Sequence, residues 1–132
     1  MARAKELKIH VENRTGMLGE VASALAEKKV NLRGVNAWVE NGQGVVRLVV
    51  DRVPVARKVL AKRGFTVEET ELLEVELADK PGTLAQLAGA LGQAGVDISH
   101  VFAGAAGARK AKVFLAVSDL AKASKVAARA LR

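Results

Sequence analysis

Two tandem copies of one strand-helix-strand-strand-helix-strand unit, an α+β arrangement, are what this sequence predicts. Three observations carry the prediction. The first is an internal repeat at an offset of 66 residues, in which Gly16 meets Gly82, Leu18 meets Leu84, Ala24-Leu25 meets Ala90-Leu91, Val30 meets Val96 and Val35 meets Val101. One extra residue enters the second copy near Gly107, after which Val46 meets Val113, Leu48 meets Leu115 and Val50 meets Val117. The second is a hydrophobic period that switches between strand and helix spacing within each copy. The third is the placing of Gly, Pro and Asn-Gly where those periods break.

Each copy opens with a strand. Leu7, Ile9 and Val11 alternate with Lys8, His10 and Glu12, giving one apolar and one wet face, and Leu73, Val75 and Leu77 alternate with Glu74, Glu76 and Ala78. A helix follows, since Leu18, Val21, Ala22 and Leu25 fall at i, i+3, i+4, i+7, as do Leu84, Leu87, Ala88 and Leu91. Lys28 and Lys29 suit the end of the first helix, and Gly95 stops the second. Strands over 31–39 and 44–50 are joined through Asn41-Gly42, a strong hairpin signal; their partners are 97–104 and 111–117, around the loop Gly104 to Lys110. A helix over 53–63 carries Pro54 in its first turn and ends at Gly64, and residues 65–69 form a fourth strand. That order gives an antiparallel four-stranded sheet with both helices on one face, the ferredoxin-like plan. The expected domains are 1–70 and a C-terminally shortened 71–132.

The second unit lacks its last strand. Asp119 caps a helix through Leu120, Val126 and Leu131, after which the sequence ends at Arg132. Strand 72–78 would then lie at an open edge, which is a pairing liability. The expected cover is another subunit, in preference to the C-terminal residues or a neighbouring helix of the same chain.

Composition narrows the functional classes. Of the 132 residues half are hydrophobic, enough for a core, with no Cys for disulfides or thiol chemistry. No apolar run approaches the ~20 residues of a membrane span, and the polar start has no signal-peptide core, so a cytoplasmic protein without membrane partners is expected. Residues 1–66 hold thirteen Lys/Arg against six acids, whereas residues 67–132 hold eight against eight. Such asymmetry steers anions or simply solvates a surface.

The repeated strand-to-helix loop is the chemical feature. It reads Asn13-Arg14-Thr15-Gly16-Met17-Leu18 in the first copy and Asp79-Lys80-Pro81-Gly82-Thr83-Leu84 in the second. Glycine supplies a backbone geometry that other residues reach at a cost and clears room for a ligand. The first helical amides, from Gly16, Met17 and Leu18, have no helical partner and suit a carboxylate or phosphate. Asn13 both accepts and donates. Donors for a carboxylate beside acceptors for an ammonium are what an α-amino acid needs, and an ordinary helix cap without ligand is the plainer alternative.

The segments ENRTGMLGEVASALAEKKVNL and DKPGTLAQLAGALGQAGVDI resemble the signature of ACT domains. The resemblance covers nearly all of residues 6–130 in two tandem copies, and is specific at the loop, the helix and the start of the second strand. It implies a regulatory module that binds an amino acid at an interface between ACT units. It also implies pairing into a homodimer and a biosynthetic enzyme or regulator as partner. The first copy is similar to the serine-responsive ACT domain of phosphoglycerate dehydrogenase, in which an Asn in the loop and an Asn opening the second strand hold the effector. Asn13 and Asn31 occupy those positions, with Leu32 beside them. Val11 stands where that family has His, and Thr15 where it has Pro. In the second copy the pair becomes Asp79 and Asp97, flanked by Gly82, Thr83, Leu84 and Ile98; two carboxylates favour an ammonium and repel a carboxylate. The first pocket is therefore the better amino-acid candidate.

Rival classes fit less well. Ser23, Ser99, Ser118 and Ser124 have no His/Asp arrangement in the sequence, and His10 and His100 are not equivalent in the repeat, so no catalysis, metal or cofactor is expected. RNA-recognition modules stack bases on sheet aromatics. Here only Phe114 is aromatic on the first and third strands, so no nucleic-acid partner is expected, and lone Trp38 reads as an interface or rim residue. An oligomerisation module with empty loops is the alternative reading.

Overall fold

The computed structural model describes residues 2–131. In chain order the elements are β1 (Ala2–Glu12), α1 (Met17–Glu27), β2 (Leu32–Glu40), β3 (Gln43–Val50), α2 (Val53–Lys62), β4 (Glu68–Ala78), α3 (Thr83–Gln93), β5 (Ile98–Gly107), β6 (Lys110–Val117) and α4 (Leu120–Ala130). The chain divides into two compact units, one of Lys5–Thr70 and one of residues 71–131 with residues 2–4. Each has the predicted antiparallel ferredoxin-like layout. Strand order is β2-β3-β1-β4 in the first unit and β1-β4-β6-β5 in the second.

The apolar periods read in the sequence make the two cores. In the first, Leu7, Ile9 and Val11 of β1 meet Val46, Leu48 and Val50 of β3, with Val21 and Leu25 of α1 and Ala56 and Leu60 of α2 closing over them. In the second, Leu73, Val75 and Leu77 join Val113 and Leu115 under Leu87 and Leu91 of α3 and Ala123 and Ala127 of α4. All are buried, and at roughly 1.5–3 kcal/mol per large side chain this burial is the main driving force of each unit. Register sets the faces. Leu7 pairs with Leu48 and Ile9 with Val46, so the helix-covered face is continuous across the strands.

Two sequence expectations change. The fourth strand of the first unit, placed at 65–69, begins at Glu68 and runs without a break through Ala78. No Gly or Pro interrupts that stretch, so nothing ends the strand, while Phe65 and Val67 pack against the first core. The edge of 72–78, expected to need another subunit, is met at its start by the chain itself. β1 extends back to Ala2, and residues 2–4 take the missing strand's place, with the Arg3 guanidinium 3.3 Å from Glu71. No strand follows α4 among the described residues. Asp119 caps α4 as predicted, its carboxylate accepting from the Lys122 amide at 3.0 Å.

The helix-free face of the first unit holds a buried ion pair. Glu6 is 0% exposed, and Arg47, paired to it at 2.7 Å, is 15% exposed by side chain. The guanidinium also lies over the Trp38 ring, 5.3 Å from its centroid. At the repeat-equivalent positions the second unit has Leu72 and Phe114, both buried, with Phe114 5.3 Å from Phe102. One unit thus solves with charge what the other solves with apolar packing.

Candidate functional site

The repeated loop is built on glycine in both units. Gly16 (φ 85°) caps α1 and Gly82 (φ 93°) caps α3, each in the left-handed region and without a capping side-chain hydrogen bond. A Cβ built on either meets nothing within 4 Å. Conformation therefore explains the two glycines, and the space beside them is open. Part of the expected amide seat is occupied, because the Met17 amide donates to the Arg14 carbonyl at 3.2 Å and closes the turn.

Beside the first loop lies a groove of about 220 Å³. Its origin is the width of the helix layer. Helices α1 and α2 cover β1 and β3 but leave the helix-side residues of edge strand β2 bare, so Val35 and Val39 stay 42% and 56% exposed. Val11, Ala37, Val39 and Val46 form the floor on that face, Met17 and Leu18 form the helix wall, and Glu12, Asn13 and Arg14 form the rim. Gly44 lies opposite both Val11 and Val39. A Cβ there would stand 2.7 Å from a Val11 methyl, so glycine lets that side chain lie across the floor. The strand at Trp38 and Val45 completes the lining, with those two side chains on the opposite face of the sheet.

The rim carries both charges. The Arg14 guanidinium bonds Glu20 at 2.5 and 3.1 Å and Glu12 at 3.2 Å. That hydrogen bond from Arg14 holds the Glu20 carboxyl below its ordinary range, and Glu20 in turn raises Arg14.

Of the predicted first-loop residues, Asn13, Met17 and Leu18 come together in this groove. Thr15 and Gly16 form the adjoining turn. Asn31 and Leu32 are not in the lining. The Asn31 amide donates to Asp51 Oδ1 at 2.9 Å and its carbonyl accepts from the Asp51 amide at 3.2 Å, while Leu32 packs on the core. In the second unit the Thr83 hydroxyl is directed to the carbonyls of Ala78 (2.8 Å) and Lys80 (3.2 Å). The Asp79 amide donates to the Arg109 carbonyl at 2.8 Å, and Asp97 exchanges bonds with Ser118, both at 2.9 Å. Leu84 is exposed and Ile98 packs on the second core. Thr83 lines a separate cavity of about 220 Å³ with Glu76, Lys80, Gln86 and Leu131, without Asp79 or Asp97.

Sequence reasoning missed Glu12, Arg14, Val39 and Gly44 as groove residues and read Trp38 only as a rim or interface residue. A glycine inside an otherwise apolar strand was the available signal for Gly44. Among the described residues no group of three or more His, Asp or Glu side chains is placed to hold a metal, and no helix is long and apolar enough to cross a membrane.

A family model described as an ACT domain pair matches residues 2–129. Among solved structures, protein BT0572 from Bacteroides thetaiotaomicron is similar at 30% identity and TM-score 0.89, covering 96% of this chain and 88% of that one. The regulatory subunit of aspartate kinase from Thermus thermophilus, in a ligand-free form, is similar at 17% identity and TM-score 0.71, covering 100% and 95%. That from Thermus flavus is similar at 20% and 0.69, covering 98% and 90%. The two aspartate kinase likenesses show a shared fold. No curated protein matches the chain in sequence.

Proposed function

The chain belongs to the ACT domain pair family, and from that premise we propose that it is a cytoplasmic, non-catalytic regulatory module that binds a free amino acid. The effector sits in the groove beside Asn13, Met17 and Leu18, and its binding changes how the chain pairs with a second copy or with a biosynthetic enzyme or regulator. The observation that carries this reading is the groove itself. It places an Asn and charges of both signs above an apolar floor, at the loop the repeat singles out. The fold shared with aspartate kinase regulatory subunits supports a regulatory role by analogy. Reciprocal linkage supplies the mechanism: an effector that alters assembly is itself bound more or less tightly by the assembled form.

Thermal denaturation against all twenty amino acids at millimolar concentration tests the proposal. Saturable stabilisation by one or a few, lost in Asn13→Ala, is expected; no shift with any of the twenty contradicts it. A second reading, assembly without ligand, draws on the exposed Leu18, Val35, Val39, Leu84 and Val101. It predicts a concentration-dependent size that no amino acid alters.

A further inference from the structure

We propose that the effector carries an apolar side chain, seated on the floor of the first-unit groove, and this rests on the amino-acid reading above. The floor and helix wall, made by Val11, Met17, Leu18, Ala37, Val39 and Val46, present no polar side-chain group. A hydroxyl, amide or charge pushed onto them gives up its water and gains no partner. The polar groups stand only at one end, where Glu12, Asn13 and Arg14 form the rim. That separation matches a zwitterion with a hydrocarbon tail: the ammonium meets the Glu12 carboxylate, the carboxylate meets Asn13 and Arg14, and the tail lies on the valines.

Charge at the rim sharpens the choice. Arg14 is shared between Glu12 and Glu20, so the cluster carries one more acid than base and a second carboxylate on the ligand is repelled. A basic side chain would reach the floor and meet only hydrocarbon. The groove, at about 220 Å³, has room for a small aliphatic side chain. The second unit does not repeat the seat. Thr83 stands for Met17, Ala105 for Val39 and Ala111 for Gly44, and the Thr83 hydroxyl is directed into its own loop. The apolar seat is thus a property of the first unit.

Calorimetry on the full chain tests this directly. Leucine, isoleucine, valine, methionine, alanine, serine, aspartate and lysine are titrated against the full chain by calorimetry, with thermal denaturation in parallel. At about fourfold per buried methylene, leucine is expected to bind at least about tenfold more tightly than alanine, with serine, aspartate and lysine weaker still. Leu18→Ser and Val39→Thr, both at exposed positions, are expected to cut the leucine-to-alanine preference several-fold while circular dichroism stays unchanged. If serine, aspartate or lysine binds best, the amino-acid reading stands and this inference falls. If none binds by either readout, the amino-acid reading falls with it. Leucine heat that is unchanged in both Leu18→Ser and Val39→Thr places the site elsewhere and overturns the inference. So does a Leu18→Ser variant that changes oligomer size while keeping its leucine preference, which would assign the floor to a second copy.

Discussion

Substituting alanine for Gly16 separates two things a loop glycine can do. At φ 85° an L side chain is strained, and the left-handed region costs a non-glycine residue about 1–2 kcal/mol. No steric penalty adds to this, because a Cβ at Gly16 meets nothing within 4 Å. The expected loss for Gly16→Ala is therefore about 1–2 kcal/mol, small against the ~5–15 kcal/mol stability of an ordinary domain. Gly82→Ala is the internal control, at φ 93° with equally open space, and is expected to cost the same. Urea unfolding reads both as a shift in midpoint without a change in slope. Ligand titration then divides them: strain in the turn at Gly16 shifts the neighbouring Asn13 and Met17 and weakens effector binding, whereas Gly82→Ala, in the other unit, leaves it unchanged. Losses above about 4 kcal/mol in either variant would show a clash that the open space forbids. No loss in either would mean the left-handed caps are wrong.

Further expectations follow from other particulars. Glu6→Leu removes the carboxylate 2.7 Å from Arg47 and is expected to cost about 3–5 kcal/mol in urea unfolding. The double variant Glu6→Leu with Arg47→Phe, which imitates Leu72 and Phe114, should recover most of that loss, and additive losses would contradict the repeat argument. In the β5–β6 turn, Ala108 (φ 52°) and Arg109 (φ 60°) hold positive φ where β2–β3 has Asn41 and Gly42. Installing Ala108→Asn with Arg109→Gly should raise the melting temperature by a few degrees, and a lowered one would count against that hairpin geometry. Acid unfolding tests the rim: Glu20 is held below its ordinary value of 4.5 by Arg14, so its contribution is present above that pH and lost as pH falls through the lower folded value. Glu20→Gln should therefore show a shallower loss of stability below about pH 4.5 than the parent chain, and identical profiles would remove the interaction from the account.

The elements were legible because each apolar period is unambiguous and the repeat checks each reading twice. Leu7, Ile9 and Val11 predict one face, and Leu73, Val75 and Leu77 confirm it. What the sequence concealed was partnership between distant segments. Residues 2–4 carry no pattern of their own, yet they supply the edge beside Glu71. The unbroken run from Glu68 to Ala78 hides the junction of two units inside one strand. At the site, Asn13, Met17 and Leu18 were visible because the loop recurs. Asn31, which the resemblance pairs with Asn13, lies outside the groove lining, with its backbone amide and carbonyl bonded to Asp51. Val39 and Gly44 join the groove through sheet register, a pairing of residues that only the folded chain brings about.

Calorimetric titration of the best-stabilising amino acid into three chains tests the central claim most directly. The unaltered chain and Asp79→Ala should each bind one equivalent per chain with similar affinity, and Asn13→Ala should show no heat of binding while unfolding normally. An unaltered chain that binds none of the twenty, or a site lost in Asp79→Ala and kept in Asn13→Ala, contradicts an amino-acid site at the first loop.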